Sequence, residues 1–184
     1  MRGAWRTSAV ILAAAATLSA SRVIAENVPL DREIKATFLY KFAPFVAWPE
    51  AAFTSPNSPL SICILADSTL ADSLRPAVAG QHEGSHPIAV RGVKSTEPDC
   101  QIVYVPGQDT RSTGAVLGTL KGRPVLTVTD VPLEATDHGM ITFTMDHGHV
   151  RFDIDDAAAA RSGLTISSKL LELARVVKPR EASP

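Results

Sequence analysis

The chain is poor in aromatic residues and nearly without cysteine: of 184 residues, 5% are Phe, Trp or Tyr, and two are Cys. Two cysteines exclude a disulfide-rich miniature scaffold and a multi-cysteine zinc module. No apolar run approaches the ~20 residues that cross a bilayer core, so a membrane-spanning helix is not expected. Charge of neither sign dominates, because 18 basic side chains face 19 acidic ones. The phosphate-cradling loops G-x-G-x-x-G and G-x-x-x-x-G-K-[ST] are missing, as is the G-x-S-x-G nucleophile turn, which removes the usual support for nucleotide-using or hydrolytic enzymes. No repeat is visible, which excludes a solenoid. What remains is 45% hydrophobic and 20% charged, enough apolar material for one packed domain.

The N-terminus carries an export pattern. Arg2 and Arg6 precede an apolar stretch from Ala9 to Leu18, and Val23-Ile24-Ala25 offers a small-residue cleavage site before Glu26. This reads as a secretory leader over residues 1–25, followed by a soluble exported domain of residues 26–184. No cysteine follows the cleavage site, so lipid anchoring there has no attachment point. In a Gram-negative cell the destination is the periplasm. Without the leader's arginines, 15 basic side chains face 19 acidic ones, a charge of −4, which argues against a nucleic-acid partner. In an oxidising compartment Cys63 and Cys100 suggest one disulfide; two separate buried thiols are the alternative.

Ile34, Phe38, Phe42 and Phe45 recur at helical spacing, and Pro44 is expected to kink or end that helix. Leu60–Leu65, Ile88–Val93, Ile102–Val105 and Val125–Val128 read as short strands. Thr69–Ala79, capped by Asp67 or Ser68, and Asp109–Leu120 read as helices, the second weakened by Gly114 and Gly118. Residues 80–86 read as a loop. Met140–Met145 and His149–Ile154 form two strands joined at Asp146-His147-Gly148. Ile166, Leu170, Leu173 and Val177 mark one face of a final helix starting near Ser167 or Ser168. Strands alternating with helices predict a single α/β domain, a layered sandwich with a largely parallel sheet flanked by helices and a C-terminal hairpin and helix.

Chemistry-bearing residues are few. Asp137-His138-Gly139 and Asp146-His147-Gly148 repeat one step, and His82 lies four residues before His86. Such groups can ligate zinc or copper, but Asp and Gly form turns, and the second copy falls where a hairpin must turn; no metal and no cofactor is expected. Tyr40, Phe42 and Phe45 fit core packing, and Trp48, beside Pro49, is a candidate for a ligand pocket. Asp153, Asp155 and Asp156 read as caps for the following alanine-rich helix rather than as a catalytic pair, with Arg161 and Lys169 as candidate ionic partners. No catalytic set emerges, and an enzyme is not expected.

Two segments go further. Ile34–Pro49, with Lys35, Ala36, Phe38, Leu39, Tyr40, Phe42, Phe45, Trp48 and Pro49 in order, resembles the opening signature of the YfiR family of periplasmic proteins. Arg161–Leu171 resembles the family's C-terminal signature, and the intervening strands fall in the same order. Lys41 stands where the family usually has Asn, and Pro44 is atypical. The resemblance implies a dimeric α/β regulator without catalytic residues. Its partner would be the periplasmic domain of an inner-membrane signalling protein, a diguanylate cyclase or else a histidine kinase, so that it controls cyclic di-GMP output and biofilm formation. It implies that Cys63 and Cys100 match one family cysteine pair, whose redox state bears on stability. Ala135 and Thr142 occupy the places of a second pair, so a switch built on that pair is not implied. Ile141 and Asp153 fall where the family has its partner-binding face, which predicts an exposed apolar patch at Ile141 rimmed by Asp153. The other class of function is small-molecule binding in an aromatic pocket near Trp48.

Overall fold

The computed structural model describes residues 30–96, 99–107 and 110–180. The expected leader and its cleavage site lie outside them. In chain order the elements are α1 (Leu30–Lys41), β1 (Val46–Ala47), β2 (Leu60–Leu65), α2 (Ser68–Val78), β3 (His82–Glu83), β4 (His86–Val93), β5 (Ile102–Val105), α3 (Thr110–Leu120), β6 (Leu126–Thr129), β7 (Ile141–Asp146), β8 (His149–Asp155), α4 (Asp156–Arg161), β9 (Thr165–Ile166), α5 (Ser168–Leu173) and β10 (Val177–Lys178).

Eight strands form one sheet in the order β10-β8-β7-β6-β5-β2-β4-β3, and β1 pairs with β9 apart from it. The centre is parallel: β2 lies between β4 and β5, and β6 follows β5 in the same direction. The β7–β8 hairpin is antiparallel, while β7 runs parallel to β6 and β10 parallel to β8. This is the mixed, mostly parallel α/β domain that the strand-helix alternation predicts.

Strand alternation sends successive side chains to opposite faces. Leu60, Ile62, Ile64, Ile102, Tyr104, Leu126, Val128, Ile141, Phe143, Phe152 and Ile154 join one core with Ala36 and Leu39 of α1 and Leu70 and Leu74 of α2. Phe38 and Phe42 bring their rings to 5.5 and 5.2 Å from Phe152, so aromatic packing seats α1 on the hairpin. On the other face Cys63, Leu65, Val103 and Val105 pack beneath Leu117 and Leu120 of α3. Further along that face the apolar character stops: Thr127, Thr129, Thr142, Asp153 and Asp155 are all buried. Loop 130–140 covers them, its backbone donating from Met140 N to Thr127 Oγ1 and from Val131 N to Thr129 Oγ1.

α1 stops at Lys41, and a 3-10 turn containing Pro44 follows, as a missing donor at that position dictates. α2 is capped by Asp67, whose Oδ1 accepts from Leu70 N at 3.0 Å, and it accommodates Pro76 in its last turn. Gly114 weakens α3 for a reason: a Cβ there would meet Asp137 Oδ2 at 2.8 Å, so only glycine lets the loop close on the helix. Two expectations need correction. Residues 80–86 contain β3, which turns through Gly84 to pair with the start of β4. The final helix ends at Leu173, and Val177 is a strand residue paired with Ile154. Hydrogen bonds from Arg175 N to Phe152 O and from Ile154 N to Val176 O draw this segment out along β8 instead.

Candidate functional site

Hairpin register decides what residues 141 and 153 can do. Thr142 lies opposite Asp153, and Ile141 opposite Ile154, so Ile141 and Asp153 project from opposite faces of the sheet. Ile141 is 0% exposed inside the first core. The expected exposed patch at Ile141 is therefore absent: an apolar side chain packed under α1 offers no surface to a partner. Asp153 is 2% exposed, yet its Oδ2 accepts from Arg175 Nη2 at 2.5 Å. The Asp153 charge and hydrogen bond hold the Arg175 guanidinium above its already high range.

Asp153 is the first of three acids held by the segment that follows α5. Asp155 Oδ1 caps α4 by accepting from Ala158 N at 2.6 Å, while its Oδ2 meets His138 Nε2 at 2.9 Å and Lys178 Nζ at 3.3 Å. Burial alone would raise the Asp155 carboxyl, but the His138, Ala158 and Lys178 contacts outweigh it and hold the group below the usual carboxylate range. Asp156 receives two bonds from Arg180, at 2.7 and 2.8 Å. The cations come from Arg175, Lys178 and Arg180; neither Arg161 nor Lys169 reaches these acids.

Beside Asp153 a cleft of about 320 Å³ opens where β7 runs past the end of β6, lined by Thr142, Thr144 and Asp153 from the second face and by Phe143 and Met145 from the first. Arg175 and Glu134 give it charge, Thr144 a hydroxyl and Met145 an apolar wall. At its other end Lys35 of α1 pairs with Asp130 Oδ1 at 3.0 Å, and Asp130 Oδ2 accepts from the Tyr104 hydroxyl at 2.6 Å. Burial and that neighbouring carboxylate push the Tyr104 hydroxyl above its ordinary range. Asp130 and Asp153 thus each face a cation, and no nucleophile stands beside a free base here.

The sequence matches the family described as YfiR/HmsC-like over residues 32–175. The chain belongs to the YfiR/HmsC-like family. The matched stretch starts in α1 and ends at Arg175, so it contains the Asp153 cleft, both cysteines and Trp48.

In this YfiR/HmsC-like protein Cys63 and Cys100 form a disulfide that closes a sequence separation of 37, with Cα atoms 5.9 Å apart. The residues are 0% and 1% exposed. Arg91, paired with Asp99 at 2.9 Å, brings Nη2 to 3.6 and 3.7 Å from the two sulfurs. The bond sits on β2 and just before β5, with β6 and β7 standing between β5 and the β8 strand of Asp153. Thr142 is buried, and its Oγ1 has no hydrogen-bond partner.

Trp48 is half-buried and donates its indole N–H to Gln101 O at 3.2 Å. It lines a separate cleft of about 510 Å³ with Glu50 and the stacked pair Phe53 and His86, whose rings lie 3.8 Å apart. Gln101 was not singled out by sequence, although its side chain joins Ala52 O to Ser61 N from a buried position. No pattern announces it. Nor does any pattern announce Arg175, Lys178 and Arg180, whose spacing of three and two residues differs from the two and one of Asp153, Asp155 and Asp156. Among the described residues no group of three or more His, Cys, Asp or Glu stands close enough to hold a metal ion, and no helix is long and apolar enough to cross a membrane.

Proposed function

We propose that this YfiR/HmsC-like protein is a periplasmic regulator that docks on the periplasmic domain of an inner-membrane diguanylate cyclase and restrains it, lowering cyclic di-GMP output and biofilm formation. The observation that carries this reading is the family match across residues 32–175. The paired charges of the Asp153 cleft are consistent with recognition by contact. A regulator of this kind acts by binding one conformation of its partner better than another. A thousandfold preference for the inactive state corresponds to about 4 kcal/mol of coupling. A histidine kinase is the other membrane partner of the right class, and a homodimer is the expected regulator.

The docking face is the rim of the Asp153 cleft, not Ile141. Met145 on β7 is 55% exposed and supplies an apolar contact beside Glu134 and Arg175. Oxidised protein used as bait on detergent-solubilised membranes of its own organism should enrich one membrane cyclase or kinase, identified by mass spectrometry. Met145→Glu should abolish that enrichment while circular dichroism shows an unchanged fold. Failure of the folded wild-type bait to enrich either class would overturn the proposal. The Trp48 cleft supports a second reading, small-molecule binding, which a saturable change in Trp fluorescence against a metabolite panel would reveal.

A further inference from the structure

On the other side of loop 130–140 from the Asp153 cleft, a larger cavity of about 560 Å³ opens between α3, α4 and β10. Its volume falls within the ~300–1,000 Å³ of small-molecule sites. Four basic side chains from four separate segments line it: Lys121 after α3, His138 in the loop, Arg161 at the end of α4 and Lys178 on β10. The one carboxylate among the lining residues is Asp155. Both its oxygens are already taken, Oδ1 by Ala158 N and Oδ2 by His138 and Lys178. Its Oδ2 is thus shared between the Lys178 ammonium and the His138 imidazole. Arg161 is exposed and has no carboxylate partner among the described residues. Lys121 reaches Asp137 at 3.4 Å, but both side chains are largely in solvent, and such a pair holds by only about 0–1 kcal/mol. Leu117, Leu120 and Met140 lie under the cavity floor, 3%, 0% and 5% exposed, and Ala158 with the methylene stems of Lys121, Arg161 and Lys178 gives it an apolar side.

We propose that this cavity is a binding site for a small organic anion, an apolar body bearing a carboxylate or phosphate. The head group lies against the charged ends of Arg161 and Lys178, with Lys121 turning from Asp137 to join them, and the apolar body lies along Ala158 and the methylene stems that rise over Leu117, Leu120 and Met140. The excess of basic groups selects the charge sign. The apolar side separates such a ligand from inorganic phosphate, which fills little of the volume. This site stands apart from the docking face and does not depend on the regulatory proposal.

The probe is 8-anilinonaphthalene-1-sulfonate, an apolar anion whose fluorescence rises on leaving water. Titration of the folded, oxidised protein should give a saturable rise at one site per chain. Octanoate or hexyl phosphate should displace the probe, whereas octanol should not; whichever anion displaces better identifies the head group. Arg161→Glu, at an exposed and unpaired position, should weaken binding at least tenfold with an unchanged circular dichroism spectrum. Lys169→Glu, which does not line the cavity, should leave binding within twofold. Absence of a saturable rise, equal affinity in Arg161→Glu, or displacement by octanol but by neither anion would overturn the assignment.

Discussion

Beneath α3 the second face of the sheet is apolar and closed by a covalent bond, whereas across β6 to β8 the same face carries threonines and aspartates under an irregular loop. The first half holds together as cores generally do, because Leu65, Val103, Val105, Leu117 and Leu120 leave water together. In the second half each polar group needs its own partner: Met140 N for Thr127, Val131 N for Thr129, Arg175 for Asp153, His138 and Lys178 for Asp155. Buried polar groups cost free energy unless paired. This fold gathers Asp153 and Asp155 on one half of one face, and both charged clefts border that half.

Substitutions at three places, the disulfide, Asp155 and Thr142, sharpen that contrast. The largest effect belongs to the apolar half. Replacing Cys63 and Cys100 together by Ala should lower stability by about 4 kcal/mol, the loop-closure value for their separation of 37, read as a drop in the urea midpoint. A loss under 1 kcal/mol would mean that α3 packing alone holds this half.

In the polar half, Asp155→Ala should cost about 1–2 kcal/mol by removing the α4 cap and leaving Lys178 without its carboxylate. Asp155 is held below the ordinary carboxylate range. Its contribution is therefore fully present above that range and disappears as pH falls through it toward the lowered value. Thermal melts between neutral and acid pH should show a shallower acid limb in Asp155→Asn, which keeps a capping oxygen and loses the charge. An identical limb would place acid sensitivity elsewhere. The smallest effect is a gain: Thr142→Val removes a buried hydroxyl with no partner and should stabilise the protein by about 1 kcal/mol. A loss instead would show that the hydroxyl is satisfied in solution.

Much of the sheet was legible because its strands carry their own signals. β5 is a continuous apolar run and β2 is broken only by Ser61, and the structure begins and ends both strands where those runs begin and end. The C-terminal segment was not legible, since Ile166, Leu170, Leu173 and Val177 fit helical spacing although two of them belong to strands. Pairing with β8, a long-range event, overrides local periodicity there. For the site, the alternation Ile141-Thr142-Phe143-Thr144 already separated an inward face from an outward one. Placing Ile141 and Asp153 on one patch required ignoring that parity, and the register of Thr142 with Asp153 restores it. The cations on Asp153, Asp155 and Asp156 could not be read, because the sequence does not say which strand the last segment joins.

The disulfide encircles an entire parallel crossover. It joins β2 to the residue pair before β5, and the elements between them, α2, β3 and β4, lie inside the covalent ring. A single proteolytic cut between residues 64 and 99 therefore leaves both fragments tethered through sulfur. Reduction of that one bond is then what would let the two fragments part.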